Sequence, residues 1–132
     1  MMRKALLLLL LSLLVACQDK GRIVEPKDGP AHLLIENNEF NFGVVKDTDG
    51  ILERQFLIVN DGGESLVIDS VDVGCHCTQV DFPKHPIKPG HGAAFTVKLD
   101  VQSLSQGSFS RTIDIYPKDG DMVVVFVVGD KI

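Results

Sequence analysis

Phe95-Thr96-Val97-Lys98-Leu99-Asp100-Val101 is the stretch that decides the fold. Its apolar and polar residues alternate strictly, which is typical of a β-strand that buries one face and exposes the other. No segment from His32 onward has the 3.6-residue apolar period of an amphipathic helix. Further along the chain, Asp119-Gly120 predicts a tight hairpin that leads into another strand-like run. The alternation therefore favours a β fold for this part of the chain.

Other strands are predicted on both sides of this stretch. The segments are Leu33 to Glu36, Asn41 to Val45, Leu52 to Val59, Leu66 to Ile68, Val71 to Cys77, and one that contains Phe109, Ile113 and Ile115. Asn60-Asp61-Gly62-Gly63 predicts a turn, and the apolar parity switches across Ser70, which indicates a β-bulge. Seven or eight short strands over about 100 residues predict an all-β, immunoglobulin-like antiparallel β-sandwich. A small barrel is the alternative.

The last predicted strand, Val123-Val124-Val125-Phe126-Val127-Val128, is apolar without interruption. Such a run is typical of a central strand that is covered on both faces. The alternative is a strand at a sheet edge, where a long uncharged strand would pair with a strand of a partner.

The N-terminus has the pattern of an export signal. Met1-Met2-Arg3-Lys4 is basic, and ALLLLLLSLLVA follows over residues 5–16. Twelve residues are too few to cross a bilayer as a helix, which takes about 20. A basic start, a short apolar core and a small final residue predict a cleaved signal peptide over residues 1–16.

Leu14-Val15-Ala16-Cys17 resembles the lipobox of bacterial lipoproteins. The resemblance implies that Cys17 becomes the first mature residue and carries a thioether-linked diacylglycerol, usually with an N-acyl chain. An ordinary secreted protein with a chance cysteine is the alternative. The predicted location is the cell envelope, lipid-anchored in the outer membrane and facing the periplasm by default, with surface display as the alternative.

The rest of the chain divides into a tether and a domain. Residues 17–30 are polar with prolines and glycines, and they predict a lipidated flexible tether. Residues 31–132 form the predicted domain. Loss of Arg3 and Lys4 with the signal peptide changes the formal charge from −5 to −7. Because nucleic acids and anionic lipids bind positive surfaces, this charge excludes nucleic acid as a partner and leaves the lipid on Cys17 as the membrane contact.

Gly74-Cys75-His76-Cys77-Thr78 is the candidate chemical motif. In an extended strand, both sulfurs would point to one face and His76 to the other, so a disulfide requires a local bend, which Gly74 permits. Three interpretations stay open. The cysteines pack as small side chains, free or bridged; they bind Cu(I) or Zn(II) with His76, His85 or His91; or they are redox-active.

The sequence contains no recognised catalytic motif. It has no nucleophile elbow, no phosphate-binding glycine loop and no zinc-protease helix. Its carboxylates are scattered, and His32, His85 and His91 are predicted to be solvated loop residues. The prediction is a protein that is not an enzyme and needs no cofactor.

The order of several short motifs resembles a family of bacterial lipoproteins catalogued as domain of unknown function 1573. The motifs are Phe40-Asn41-Phe42-Gly43, Phe56-Leu57-Ile58-Val59-Asn60-Asp61-Gly62, Leu66-Val67-Ile68, Gly74 to Thr78, Ile87-Lys88-Pro89-Gly90 and Gly107-Ser108-Phe109. The resemblance covers about residues 38 to 129. It implies an immunoglobulin-like sandwich related to cilium- and centrosome-associated, sperm-protein-like and pilus-chaperone-like domains, and it implies no established activity, substrate or cofactor.

The chain departs from the family pattern at His76, where the family usually has glycine. If that position requires positive φ, histidine is disfavoured there. This departure weighs against a tight Cys75–Cys77 bridge and favours the metal interpretation.

Two functional hypotheses follow. The first is a membrane-anchored lipoprotein whose non-enzymatic sandwich binds or scaffolds another envelope protein. The second is a thiol-redox or metal-binding module that acts through Cys75, His76 and Cys77.

Overall fold

The computed structural model describes residues 21–132. The predicted signal peptide over residues 1–16, the predicted lipidation site Cys17 and the start of the predicted tether lie outside the described residues. The strands and 3-10 turns are β1 (Leu33–Leu34), β2 (Glu39–Val45), a 3-10 turn (Asp47–Asp49), β3 (Ile51–Asn60), β4 (Ile68–Val73), β5 (Thr78–Asp81), β6 (Gly92–Asp100), a 3-10 turn (Val101–Ser103), β7 (Gly107–Pro117) and β8 (Val123–Lys131). Within this range, no helix has the length and hydropathy that a membrane crossing requires.

The eight strands of the described range form two four-stranded sheets. One has the order β1-β3-β6-β5 and the other the order β2-β8-β7-β4. The prediction of an all-β, immunoglobulin-like sandwich is confirmed. One strand pair departs from the predicted antiparallel arrangement, because β2 runs parallel to β8. After β1 the chain leaves the first sheet and joins the second without reversing its direction.

The core lies between the two sheets and follows the predicted alternation. Phe95, Val97 and Leu99 of β6 are fully buried. The ring of Phe56 stacks between those of Phe95 and Phe40, with centroids 4.7 Å apart in both pairs. Each fully buried apolar side chain of this size contributes about 1.5–3 kcal/mol to folding.

Strand β8 is central in its sheet, as predicted, but the prediction that it is covered on both faces is wrong. Val125 and Val127 are fully buried, whereas the side chain of Phe126 is 37% exposed. The reason is architectural, since a two-layer sandwich covers only the inner face of each sheet. An uninterrupted apolar run does not reveal how many layers surround it.

The predicted strand over Val71 to Cys77 is divided by the structure. β4 ends at Val73, the chain turns through residues 74–77, and β5 then begins in the other sheet. The β-bulge predicted at Ser70 is confirmed, because the register between β4 and β7 shifts between Ile68 and Ser70.

Part of the predicted tether packs on the domain. The backbone N–H groups of Ile23 and Val24 donate to the carbonyl of Gly90 over 2.7 and 3.1 Å, and the Lys27 N–H donates to the Asp61 carbonyl over 2.8 Å. A Cβ at Gly62 would lie 2.1 Å from the Pro30 carbonyl oxygen. The polar composition of residues 17–30 predicted flexibility, but it could not reveal that glycines on the domain allow this close approach.

Because neighbouring strands mostly run in opposite directions, the loops lie at two opposite ends of the sandwich. We call the end with the Asn60 turn the N-terminal end, because the Asp61 N–H donates there to the His32 carbonyl over 3.2 Å. The opposite end holds the β4–β5 crossover, where the Asp100 N–H donates to the Cys77 carbonyl over 2.7 Å. We call this the disulfide end.

Candidate functional site

The β4–β5 crossover bends the chain and brings the two cysteines together. The Thr78 N–H donates to the Cys75 carbonyl over 3.1 Å, which closes a tight turn at the start of β5. The Cα atoms of Cys75 and Cys77 lie 5.1 Å apart, and the two residues are joined by a disulfide. The turn supplies the local bend that an extended strand lacks.

His76 is compatible with this turn. No non-glycine residue of the described range has positive φ, so His76 lies in a conformation that any L-residue can adopt. Its side chain is exposed. The steric argument against a bridge around this histidine therefore does not apply to this structure.

The two sulfurs lie in different surroundings. Cys75 is half-buried and lines an open cleft of about 420 Å³ together with Val73, Gly74, His76, Thr78 and Gln79. Cys77 is 1% exposed and does not line the cleft. A molecule that enters the cleft therefore contacts Cys75 and not Cys77.

Each sulfur has a polar neighbour. The Cys77 N–H donates to Sγ of Cys75 over 3.1 Å. Sγ of Cys77 lies 3.6 Å from Oγ1 of Thr78, whose side chain is itself buried. Hydrogen-bond donors at these positions favour the charged form of a cysteine thiol once the disulfide is open.

The structure offers little support for a metal at this motif. Among residues 21–132, no group of three His, Cys, Asp or Glu side chains is arranged to hold a metal ion. His91 belongs to the N-terminal end, where its backbone carbonyl accepts from the Asn60 N–H over 2.9 Å. His91 is therefore not brought to Cys75 and Cys77.

A second polar cluster, which the sequence indicated only as a turn, lies at the N-terminal end. The Asp61 side chain is 5% exposed and pairs with Nζ of Lys27 over 2.7 Å and with Nδ1 of His32. The hydrogen bond from Lys27 is the main cause that lowers the pKa of Asp61 below its usual value; burial opposes this shift and His32 adds to it. The cluster fastens residues 27–32 to the turn after β3.

Asn60 completes this cluster from inside the domain. It is fully buried, and its Nδ2 donates to the carbonyls of Glu64 over 2.6 Å and Ile87 over 2.9 Å. Its Oδ1 accepts from the N–H groups of His32 and Gly62. One amide therefore joins three separate segments, and the only trace in the sequence is an Asn in a turn motif, where it is common for local reasons.

An apolar stripe of Val124, Phe126 and Val128 lies on the outer face of β8. Their register partners on β7 are Asp114, Thr112 and Ser110, and Phe126 also lies opposite Glu39 on β2. The stripe is thus a narrow apolar surface beside polar and acidic neighbours. On the outer face of the other sheet, the polar pairs Glu53–Lys98 and Gln55–Thr96 separate two exposed apolar side chains of β3, Ile51 and Leu57.

Comparison with known proteins identifies one matching family. The sequence model of the family described as "Protein of unknown function (DUF1573)" matches residues 33–129. No curated protein matches the chain.

Several solved structures have a similar fold. A protein of unknown function from Porphyromonas gingivalis W83 superposes with a TM-score of 0.65 at 19% identity over 81% of this chain; the chain spans about half the length of that protein, 49%. The ASH/PapD-like domain of human CEP192 superposes with a TM-score of 0.64 at 9% identity, over 89% of this chain and 98% of that domain. The YadV chaperone gives a TM-score of 0.56 at 9% identity, over 75% of this chain and 51% of that one. At these identities the likeness concerns the fold.

Proposed function

Because this chain belongs to the DUF1573 family and folds as an immunoglobulin-like, PapD-like sandwich, we propose that it is a lipid-anchored envelope protein whose domain binds another protein. The lipid on Cys17 holds it at the outer membrane, facing the periplasm. The domain acts as a non-enzymatic binding or scaffolding module, and nucleic acid is not among its partners.

The observation that carries the proposal is the apolar stripe on β8. Phe126 exposes 37% of its surface at the centre of a sheet, with Val124 and Val128 half-buried on either side of it along the strand. Exposed aromatic side chains with apolar neighbours are typical anchors of protein–protein interfaces. Single exposed apolar residues are ordinary, but three successive outward positions on one central strand form a continuous contact surface.

The charge around the stripe indicates the chemistry of the partner. Asp114 lies beside Val124, Glu39 beside Phe126, and Asp130 follows along β8. An acidic rim repels an acidic surface and attracts a basic one. The partner that we propose is therefore an envelope protein with an apolar contact surface and a basic rim.

The experiment compares two outward apolar positions on opposite sheets. Phe126→Ser removes the anchor of the stripe, and Leu57→Ser, at a side chain that is 48% exposed on the outer face of β3, is the matched control. We expect the full chain, isolated from solubilised envelope, to retain one specific protein in the wild type and in Leu57→Ser and to lose it in Phe126→Ser. Retention should weaken as salt is raised, because salt screens the rim charges.

Two results would count against this function. One is an isolate without a specific protein, and the other is equal retention by both variants. The anchor is tested separately by mass spectrometry of the intact native protein, where we expect Cys17 at the N-terminus with the added mass of acyl chains.

A further inference from the structure

The disulfide end suggests a reaction that a binding module does not need. The disulfide is not enclosed in the core, since Cys75 lines an open cleft of about 420 Å³. Of its two cysteines, Cys75 lines that cleft, whereas Cys77 does not and is 1% exposed. We propose that the Cys75–Cys77 disulfide is a thiol-exchange site, at which a small-molecule thiol attacks Sγ of Cys75 and Cys77 is the departing and later the resolving thiol.

The direction of attack follows from the difference in exposure. Thiol–disulfide exchange requires a thiolate to reach one sulfur while the other departs, so access selects the sulfur that is attacked. Cys75 is half-buried at the cleft, whereas Cys77 is 1% exposed and does not line it. A small thiolate in the cleft therefore attacks Cys75.

The surroundings of Cys77 suit a departing thiolate. When the bond opens, the electron pair stays on Sγ of Cys77, 3.6 Å from the hydroxyl oxygen of Thr78. This hydroxyl can donate a hydrogen bond to the sulfur, which stabilises the thiolate and speeds departure. Because Thr78 is 3% exposed, water competes little for that hydroxyl.

The reaction balances in two exchanges. In the first, the entering thiolate forms a bond to Sγ of Cys75, the Cys75–Cys77 bond breaks, and Cys77 leaves as a thiolate that takes a proton from water. In the second, another small thiolate attacks the sulfur of the first small thiol and releases Cys75. The net result is two protein thiols and one small-molecule disulfide, so two electrons pass from two thiols to the protein. The reverse sequence restores the bridge.

The first test maps the adduct on the wild-type full chain. The oxidised protein is mixed with glutathione, and after short times exchange is stopped with acid and the free thiols are blocked with N-ethylmaleimide in denaturant, which makes the buried Cys77 accessible to the reagent. Fragment mass spectrometry then locates each modification. We expect glutathione on Cys75 and N-ethylmaleimide on Cys77, in at least about tenfold excess over the opposite pattern. An adduct on Cys77, an equal distribution or the absence of any adduct would overturn the proposal.

The second test concerns the Thr78 hydroxyl. Thr78→Val keeps the shape of the side chain and removes the donor, whereas Thr78→Ser keeps the donor. We expect the first exchange to slow about fivefold in Thr78→Val, the scale of one modest hydrogen bond, and to recover in Thr78→Ser. Equal rates in the three proteins would refute the part assigned to Thr78. Neither test depends on the lipid or on a protein partner, so their outcome is independent of the proposed binding function.

Discussion

The two ends of the sandwich hold the chain in different ways. At the N-terminal end, Asn60 and Asp61 join three segments that are distant in sequence by hydrogen bonds and ion pairs. At the disulfide end, a covalent bond joins Cys75 to Cys77, which are two positions apart. A covalent link between neighbouring residues therefore does not necessarily constrain the fold more than hydrogen bonds and ion pairs between distant segments.

Loop length explains why. A disulfide stabilises mainly by restricting the unfolded chain, and the restriction grows with the number of residues that it encloses. The Cys75–Cys77 loop encloses almost nothing, which makes its stabilising effect about 1.5 kcal/mol. The buried amide of Asn60 forms hydrogen bonds with four backbone groups. Each buried polar group that is left without a hydrogen bond costs about 1–3 kcal/mol. We therefore expect the hydrogen bonds at the N-terminal end to contribute more to the free energy of unfolding than the disulfide does.

The largest effect should come from Asn60→Ala. Its removal takes one hydrogen bond from each of four backbone groups, the carbonyls of Glu64 and Ile87 and the N–H groups of His32 and Gly62. The Ile87 carbonyl keeps the hydrogen bond from the Leu66 N–H. We expect the free energy of unfolding to fall by about 3 kcal/mol, measured by urea denaturation.

Asn41→Ala is the matched control for that substitution. Asn41 is exposed and accepts one local hydrogen bond from the Gly43 N–H, over 2.7 Å. Its loss should cost less than about 1 kcal/mol. If Asn60→Ala and Asn41→Ala lowered the free energy of unfolding by similar amounts, the larger contribution that we assign to the N-terminal end would be refuted.

A smaller, pH-dependent effect should follow from Asp61→Asn. The pKa of Asp61 is lowered in the folded protein, mainly by Lys27, so the carboxylate stabilises the fold above its usual pKa of 3.8. This contribution disappears as the pH falls through the lower, folded-state pKa. We expect Asp61→Asn to cost about 2 kcal/mol at neutral pH and to reduce the further loss of stability as the pH falls below about 4.

The measurement is urea denaturation as a function of pH, with Asp119→Asn as a control of equal formal charge at an exposed hairpin position. The control should retain the acid sensitivity of the wild type. If the stability of the two variants depended on pH in the same way, Asp61 would not be the group whose protonation destabilises the protein in acid.

The smallest effect should come from reduction of the disulfide. We expect dithiothreitol to lower the free energy of unfolding by about 1.5 kcal/mol and to leave the domain folded. The double variant Cys75→Ser, Cys77→Ser should not respond to the reductant. A loss of more than about 3 kcal/mol would mean that the crossover depends on its bridge, contrary to the comparison of the two ends.

Patterns of short range were sufficient to predict the general fold. The alternation from Phe95 to Val101 and the parity switch at Ser70 reflect the two-residue period of a strand, which depends on local geometry. The predicted strand through Cys77 failed because a chain that changes sheets can keep an apolar pattern on both sides of the change. The packing of residues 23–27 escaped prediction for a similar reason, as its partners Gly90 and Asp61 are far away in sequence.

For the candidate site, the sequence identified the residues but not their arrangement. Gly74 to Thr78 stood out because two cysteines flank one residue. Which cysteine lines a cleft depends on how β4 and β5, at the edges of different sheets, are placed around the crossover. No property of the local sequence distinguishes Cys75 from Cys77 in that respect.

The amino-acid sequence by itself determined the β character of the domain, most of its strands and the position of the cysteine motif, because these depend on side-chain polarity at neighbouring positions. Only the tertiary structure decided that β8 is open on its outer face, that Asn60 joins three segments, and that Cys75 lines a cleft while Cys77 is buried. Exposure depends on which distant residues pack over a side chain, and that information exists only once the sheets have come together.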